Sequence, residues 1–251
     1  MDKHSSKRIE ILGVPVDCVT MPEALDVVDQ LVSDGAQGTA IAVNPEKIIK
    51  AQTDSELQGH LANAALLIPD GIGVVMAARL LGLGRMERVA GADLMPEICG
   101  RAAERGYSVY LYGASQDVND KACKVLQQRY PSLRIAGSSN GFRKDEDMLG
   151  LIDEINASGA SVLFIALGSP RQELWMARYL HSTSINVCQG VGGTFDVLAG
   201  NVRRAPALWR KLNLEWAYRL LSQPSRLLRQ TALPRFAWRV FREWLAGSKP
   251  A

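Results

Sequence analysis

The chain has 251 residues, of which 47% are hydrophobic and 22% are charged, and its formal net charge is +3. These values are ordinary for a globular protein of one large domain, or of one domain with an appendage. Four cysteines lie far apart without a CxxC pair, which excludes a disulfide framework and a cysteine zinc site and favours a reducing compartment. The polar first nine residues predict no signal peptide, and no apolar run approaches the roughly 20 residues of a membrane span.

Charge is distributed unevenly along the chain. The segment from Arg203 to Ala251 has eleven Lys and Arg against two Glu, and it holds four of the five tryptophans. Residues 1–202 carry 18 basic and 24 acidic side chains. This asymmetry predicts an α/β core over residues 1–202 and a basic, Trp-rich helical appendage over residues 203–251 with a surface task of its own.

In chain order, the first predicted element is a β hairpin over Arg8–Val19, followed by a helix over Ala24–Val32 that begins at a Thr20–Glu23 capping box. Apolar strands then alternate with helices. The predicted strands cover Thr39–Val43, Ala64–Ile68, Tyr107–Tyr112, Leu133–Ala136, Val162–Leu167 and Ile185–Gln189. The predicted helices cover Glu46–Ala51, Ser55–Asn63, Val74–Leu81, Leu94–Arg105, Val118–Arg129, Glu146–Ala157 and Gln172–Leu180. This alternation predicts a mostly parallel, Rossmann-like sheet flanked by helices.

The ends of these strands carry the signals of a ligand site. Asp70 stands where a buried strand gives way to a helix, the position at which parallel sheets bind ligands. Capping of the following helix is the alternative explanation of this aspartate. Gly113, Gly168 and the Gly190–Gly193 run follow other strands, where the backbone must turn tightly and let a ligand approach. Amide donors at helix starts in such loops suit a diphosphate.

Several well-known site motifs are missing from the sequence. It contains no dinucleotide fingerprint, no P-loop and no GxSxG elbow, and its three histidines are isolated. Asp145-Glu146-Asp147 matches the DxD pattern of metal-dependent glycosyltransferases, but acidic residues are also favoured at a helix start, and we prefer that explanation. An NAD-dependent oxidoreductase remains an alternative of another class, disfavoured by the missing fingerprint.

Eight segments together resemble the WecG/TagA/CpsF glycosyltransferase family. They are Val43–Lys47, Pro69–Gly71, Arg88–Leu94, Gly168–Glu173, Gly190–Asp196, Arg203–Pro206, and Leu214–Trp216 with Tyr218–Pro224. The resemblance runs in order from about Ile9 to the last helix, without large gaps. It implies transfer of an N-acetylmannosamine-type sugar from UDP to polyprenyl-diphosphate-linked GlcNAc, with inversion at the anomeric carbon and without a metal or another cofactor.

The resemblance also implies roles for individual residues. Asp70 matches the catalytic base, and the matching substrate-binding residues are Asn44, Arg88 and Gln172. The family's tail arginines that reach a diphosphate at the membrane correspond to Arg219, Arg226 and Arg229 in this chain. We add Gly113, Gly168 and Asp196 to the substrate-binding set from their places after strands. Teichoic-acid-type members carry a threonine where this chain has Ala42, which favours UDP-N-acetylmannosaminuronate as donor; UDP-N-acetylmannosamine and UDP-glucuronate remain alternatives.

The carboxy-terminal segment predicts a membrane contact. Arg235, Arg239 and Arg242 fall on one helical face, while Phe236, Val240, Phe241 and Trp244 fall mostly together on others, as in an interfacial helix. A helix docked on the body or on a partner subunit is the alternative. We therefore expect a peripheral protein on the cytoplasmic face of the inner membrane, with no nucleic-acid partner and with homo-oligomerisation left open. A non-catalytic lipid-binding adaptor is a second alternative to the enzyme.

Overall fold

A six-stranded parallel sheet forms the centre of the protein in the computed structural model, which describes residues 7–206, 208–209, 212, 215–222 and 231–247. Its strands are β3 (Gly38–Val43), β4 (Leu66–Pro69), β5 (Ser108–Gly113), β6 (Arg134–Ser139), β7 (Val162–Ala166) and β8 (Val187–Gly190). They lie in the order β4-β3-β8-β7-β5-β6. The predicted α/β class with a parallel sheet flanked by helices is therefore confirmed.

An antiparallel hairpin covers one edge of this sheet, as the alternation around Gly13 and Pro15 predicts. Its strands are β1 (Arg8–Ile11) and β2 (Val14–Asp17). The Asp17 carboxylate accepts hydrogen bonds from Arg8 at 2.7 and 3.0 Å and from the Leu67 amide of β4 at 2.8 Å. One buried carboxylate thereby ties the hairpin to the edge strand.

Helices cover both faces of the sheet because successive strand residues point to opposite sides. Ile68 packs into a core with the helices of one face, while Leu67 packs into the core beneath the other. The first face has α1 (Met21–Ser33), α5 (Gly91–Arg105), α6 (Gln116–Arg129) and α9 (Thr194–Leu198). The second face has α2 (Pro45–Ala51), α3 (Ser55–Ala62), α4 (Ile72–Leu80), α7 (Met148–Ser158) and α8 (Arg171–Tyr179).

The strand order brings the predicted site loops together. Strands β4, β3, β8 and β7 are consecutive neighbours, and parallel strands end at the same edge of a sheet. Asp70, Asn44, the Gly190–Gly193 turn and the Gly168–Glu173 loop follow these four strands in that spatial order. β3 and β8 are neighbours although their connections lead to opposite sides of the sheet, and such a switch point forms a ligand crevice.

Several predicted boundaries differ from the structure by two or three residues, and two of them involve glycines. The sequence predicted that strand β6 ends at Ala136, but the strand continues through Gly137 to Ser139. The strand contains a glycine at position 137 because a side chain there would sit 2.5 Å from the ring of Tyr110. Helix α5 begins at Gly91, three residues before the predicted Leu94. In both places a glycine that looks like a stop signal serves close packing instead.

The carboxy-terminal segment contains α10 (Glu215–Ser222) and α11 (Ala232–Leu245). Helix α11 packs on α2 and α4, and its Phe236 and Val240 are buried in the core of the second sheet face. The prediction that Phe236 and Val240 belong to a lipid-facing surface was therefore wrong, and the docked-helix alternative holds for this side of α11. The boundary of the appendage at residue 203 stays a prediction.

Candidate functional site

Asp70 and Asn44 lie side by side at the ends of neighbouring strands. Pro69 pairs with Val43 in the sheet, and the Asp70 amide donates a 2.8 Å hydrogen bond to the Val43 carbonyl. Asn44 caps α2, where its side-chain oxygen accepts from the Lys47 amide at 2.9 Å. The cap position of α4 belongs to Gly71, with φ of 98°, so Asp70 stands one residue before the cap. Asp70, which is half-buried, thus lies at the carboxyl edge of the sheet next to the switch point between β3 and β8.

Arg88 joins this site from the loop before α5. The Val89 amide donates to the Pro69 carbonyl at 3.0 Å, which holds the loop against the end of β4. The Arg88 guanidinium donates to the Glu215 carboxylate of α10 at 2.8 Å. The Arg88–Val89 segment therefore connects Glu215, the first residue of α10, with Pro69, the residue before Asp70.

Arg204 is a residue that we did not predict for the site. Its guanidinium pairs with Asp93, in the first turn of α5, at 2.6 Å. The hydrogen bond to Asp93 raises the pKa of Arg204, and the charges of Glu215 and Asp70 raise it further. Asp70, Arg88, Asp93, Arg204 and Glu215 thus form one charge cluster. Within the described part of the chain, the Nε and Nη2 atoms of Arg204 are buried and have no hydrogen-bond partner.

Gln172 lies in the crevice but makes its contacts with the protein itself. The side chain is 5% exposed. Its oxygen accepts from the Gly192 amide at 3.0 Å, and its amide donates to Glu173 at 3.1 Å. A side chain at Gly190 would lie 2.5 Å from the Gln172 nitrogen, so β8 must end in glycine for Gln172 to occupy this place.

Glu173 forms a buried ion pair with Lys47 of α2, and neither residue was predicted to have a role. Their charged atoms are 2.7 Å apart, and their side chains are 2% and 6% exposed. Burial raises the pKa of Glu173, but the charge of Lys47 and the hydrogen bonds from Lys47 and Gln172 outweigh it, so the pKa lies below its usual value. Both residues lie in segments that resemble the family, and this resemblance was the sequence signal that could have identified them.

The remaining predicted residues are spread more widely. Gly113 ends β5 with φ of 129°, and a side chain there would lie 2.6 Å from the backbone of Ala166, so close strand packing requires this glycine. Gly168 has φ of 74° in the loop after β7. Asp196 lies in the first turn of α9 and is half-buried. Their substrate contacts stay predictions.

The three tail arginines fall at or beyond the limit of what the structure describes. Arg219 belongs to α10, whose first residue contacts Arg88, but its side chain lies outside the described part. The positions of Arg226 and Arg229 lie outside the described residues altogether. Their proposed diphosphate contacts therefore stay predictions.

The DxD segment lies away from this site. Asp145–Asp147 forms a single 3₁₀ turn between β6 and α7, and β6 is the edge strand on the opposite side of the sheet from β4. All three acidic side chains are exposed, and Asp147 accepts a hydrogen bond from the Lys144 amide at 3.4 Å. Across residues 7–206 and the described parts of the tail, no group of three His, Cys, Asp or Glu is placed to hold a metal.

The chain is similar to known proteins over most of its length. Residues 9–250 match the model of the "Glycosyl transferase WecG/TagA/CpsF family". A protein from Bacillus spizizenii named N-acetylglucosaminyldiphosphoundecaprenol N-acetyl-beta-D-mannosaminyltransferase is 36% identical over 210 residues, which cover 84% of this chain and 81% of the relative. The family match spans nearly the whole chain and includes every residue of the charge cluster. The protein is therefore a glycosyltransferase and belongs to the WecG/TagA/CpsF family.

Proposed function

We propose that the protein transfers N-acetylmannosaminuronic acid from UDP to GlcNAc on polyprenyl diphosphate, with inversion at the anomeric carbon. The product would be an intermediate of a cell-surface polysaccharide such as enterobacterial common antigen. The observation that carries the proposal is the position of Asp70, which lies at the carboxyl edge of the sheet within a cluster that contains two arginines. The mannosaminyl transfer in the relative's name supports the same class of sugar.

Asp70 is the proposed general base. As the acceptor hydroxyl oxygen bonds to the anomeric carbon, its proton passes to the Asp70 carboxylate, and the bond from that carbon to the UDP oxygen breaks. The electron pair of the broken bond leaves with UDP. One carboxylate suffices for this single displacement, since no covalent sugar–enzyme intermediate forms when the configuration is inverted.

Arg88 and Arg204 are the described residues best suited to the negative charge that develops on UDP. Guanidinium groups bind phosphate oxygens with paired, charge-assisted hydrogen bonds. The cluster contains three carboxylates and two guanidinium groups. These five described side chains sum to a net charge of −1, which is unfavourable for a diphosphate, so the proposal calls on cations beyond them. Arg219, Arg226 and Arg229 would supply them.

The proposed membrane contact uses the outer side of α11. Trp238, Phe241 and Trp244 are 60%, 42% and 48% exposed, and their rings contact one another in series at tilted angles, with centroid distances of 6.2 and 5.8 Å. Arg235, Arg239 and Arg242 are also exposed on this helix. Exposed tryptophans beside arginines suit the headgroup region of an anionic membrane. Within the described residues, none of the helices combines the length and the apolar character that a membrane crossing needs.

A donor comparison tests the proposed activity. UDP-N-acetylmannosaminuronate, UDP-N-acetylmannosamine, UDP-glucuronate and UDP-GlcNAc are offered with a short-chain lipid-linked GlcNAc acceptor. We expect the first donor to exceed the others in kcat/KM by at least about tenfold. Preference for UDP-N-acetylmannosamine would replace the proposed donor, and NAD binding without UDP binding would overturn the proposal.

An Ala42→Thr variant sharpens this comparison. Ala42 lies on β3 two residues before Asn44, and its Cβ would be 3.2 Å from a Cβ placed on Gly91 at the start of α5. We expect the threonine to raise the relative use of UDP-N-acetylmannosamine by about tenfold, because teichoic-acid-type members of the family carry a threonine at this position. An unchanged donor ratio would show that position 42 does not select the donor.

Removal of charge from α11 should weaken membrane binding without harming the chemistry. We expect Arg235→Gln, Arg239→Gln and Arg242→Gln together to weaken binding to anionic liposomes by about a hundredfold at low salt, at about 1 kcal/mol for each basic residue. Turnover on a water-soluble acceptor should be unchanged. Liposome sedimentation and a soluble-acceptor assay measure the two effects.

The matched control removes the same charge from the body. Lys124→Gln, Arg134→Gln and Arg178→Gln alter exposed cations on α6, β6 and α8. Equal loss of liposome binding in this control would refute a role specific to α11. Gln substitutions at Arg219, Arg226 or Arg229 should instead lower turnover on the soluble acceptor. If all six tail arginines behave alike in both assays, the proposed division between lipid and diphosphate contacts is wrong.

We expect turnover to persist in excess EDTA. The family resemblance and the distance of Asp145 and Asp147 from the crevice both favour leaving-group stabilisation by protein cations. The measurement is the initial rate with EDTA, followed by addition of Mg²⁺ or Mn²⁺. Loss of turnover with EDTA and its recovery with either ion would contradict the prediction.

A further inference from the structure

We propose that Glu173, whose charge Lys47 balances, is a positioning residue: its carboxylate accepts from Gln172 and thereby holds the Gly190–Gly193 turn in the shape that binds substrate. This inference rests on the proposed function for its activity readout. It assigns Gln172 a role through the turn, because both polar atoms of that side chain are engaged by the protein.

The Lys47–Glu173 ion pair is almost completely buried. A 2.7 Å contact between side chains that are 6% and 2% exposed takes both charges out of water. The desolvation of two charges often cancels their attraction, and apolar side chains of similar size stabilise a core equally well or better. Fold stability alone therefore does not explain a lysine and a glutamate at this place.

The charge of Glu173 is balanced by Lys47 and not by the nearby His60. Burial lowers the pKa of His60, the charge of Glu173 opposes this effect, and Lys47 adds to it. The net shift lowers the pKa of His60, which disfavours a charged imidazole beside Glu173. The second carboxylate oxygen of Glu173 is buried without a hydrogen-bond partner among the described residues. The hydrogen bonds from other side chains to Glu173 therefore go to its other carboxylate oxygen.

That oxygen, Oε1, accepts from both Lys47 and Gln172, at 2.7 and 3.1 Å. The other end of the Gln172 side chain accepts from the Gly192 amide at 3.0 Å. Three side chains thus form a continuous chain from α2 to the turn after β8. A fixed acceptor holds the Gln172 amide in one orientation, with its oxygen directed at Gly192.

The same lysine also connects this chain to Asn44. The Lys47 amide donates to the Asn44 side chain at 2.9 Å, while its ammonium group donates to Glu173. The loops after β3, β7 and β8 are therefore linked through one residue, although Lys47 and Glu173 are 126 residues apart in sequence. Accurate placement of substrate depends on such supporting contacts, because small displacements lower reaction rates strongly.

Two double variants isolate the hydrogen bond from the ion pair. Lys47→Met with Glu173→Gln removes both charges but keeps an amide oxygen that accepts from Gln172. Lys47→Met with Glu173→Leu removes both charges and that acceptor as well. We expect kcat/KM of the leucine variant to lie at least about tenfold below that of the glutamine variant. Equal values in the two variants, at whatever level, would overturn the proposal.

A readout that does not need activity separates this proposal from the proposed function. The Gly192 amide donates to Gln172, so its hydrogen exchange should accelerate at least about tenfold in the leucine variant and remain near wild type in the glutamine variant. If the Gly192 amide exchanges at the same rate in both variants, the proposed link from Glu173 through Gln172 to Gly192 is wrong, even when the transferase assay detects no activity. Faster exchange in the leucine variant alone supports it even if the assigned donor is wrong.

A third variant covers the case in which the leucine variant does not fold. Gly190→Ala places a methyl group 2.5 Å from the Gln172 nitrogen, whereas Gly59→Ala on α3 meets nothing within 4 Å and serves as control. We expect Gly190→Ala to accelerate Gly192 exchange and to lower kcat/KM, each at least about tenfold, and Gly59→Ala to change neither. Wild-type exchange at Gly192 in Gly190→Ala would overturn the proposal.

Discussion

Replacement of Asp70 by Asn is expected to lower kcat by about a hundredfold or more while leaving the affinity for UDP-sugar within about threefold of wild type. Asparagine has the size of aspartate but cannot accept the proton of the attacking hydroxyl. Steady-state kinetics measures the first effect, and calorimetric titration with the donor measures the second. The two measurements together distinguish a lost base from a lost binding group.

The control for this experiment is Asp145→Asn. This residue carries the same functional group on an exposed turn at the other side of the sheet. We expect wild-type kinetics from it, since an exposed aspartate outside the crevice has no contact with substrate. Near-normal turnover in Asp70→Asn would remove this residue from the mechanism, and a large loss in Asp145→Asn would reopen the DxD explanation.

The single substitution Lys47→Met should cause the largest loss of stability among the variants considered. It leaves the Glu173 carboxylate buried without its cation, which costs about 3–5 kcal/mol of unfolding free energy. For a chain of this size, we expect Tm to fall by about 10 °C. Because the penalty comes from the orphaned charge, adding Glu173→Leu should restore most of the loss, which thermal unfolding would measure.

An exposed ion pair of the same length provides the control. Lys121 and Asp117 on α6 are also 2.7 Å apart, but their side chains are 49% and 70% exposed. Lys121→Met should change stability by less than about 1 kcal/mol, because water screens an exposed pair. A similar loss in both variants would mean that burial does not decide the cost. A double variant as unstable as Lys47→Met alone would refute the orphaned-charge explanation.

Much of the architecture follows from short-range patterns. The Thr20–Glu23 capping box marks the start of α1, and both of its reciprocal contacts are present. The apolar run before Asp70 forms a strand that is buried along its whole length. Such signals are local, because capping, turns and side-chain periodicity depend on residues only a few positions apart. Glycines were less reliable as signals of strand ends. Gly137 lies inside β6, where the ring of Tyr110 leaves no room for a side chain.

In the candidate site, too, the sequence identified single residues, while tertiary contacts brought them together. Asp70, Asn44 and Arg88 were predicted from family motifs. Parallel strands bring Asp70 and Asn44 to one edge of the sheet, and the hydrogen bond from Val89 to Pro69 holds the loop of Arg88 beside them.

The sequence by itself determined the α/β class, the order of most elements and the family of this glycosyltransferase, because these depend on local periodicity and on motifs several residues long. Tertiary structure alone decided which charges meet. Arg204 reaches Asp93, and Lys47 reaches Glu173, across more than a hundred residues in each case. It also decided that Phe236 is buried while Trp238 is exposed. Helical spacing separates the faces of α11, but only the position of α2 and α4 determines which face is covered.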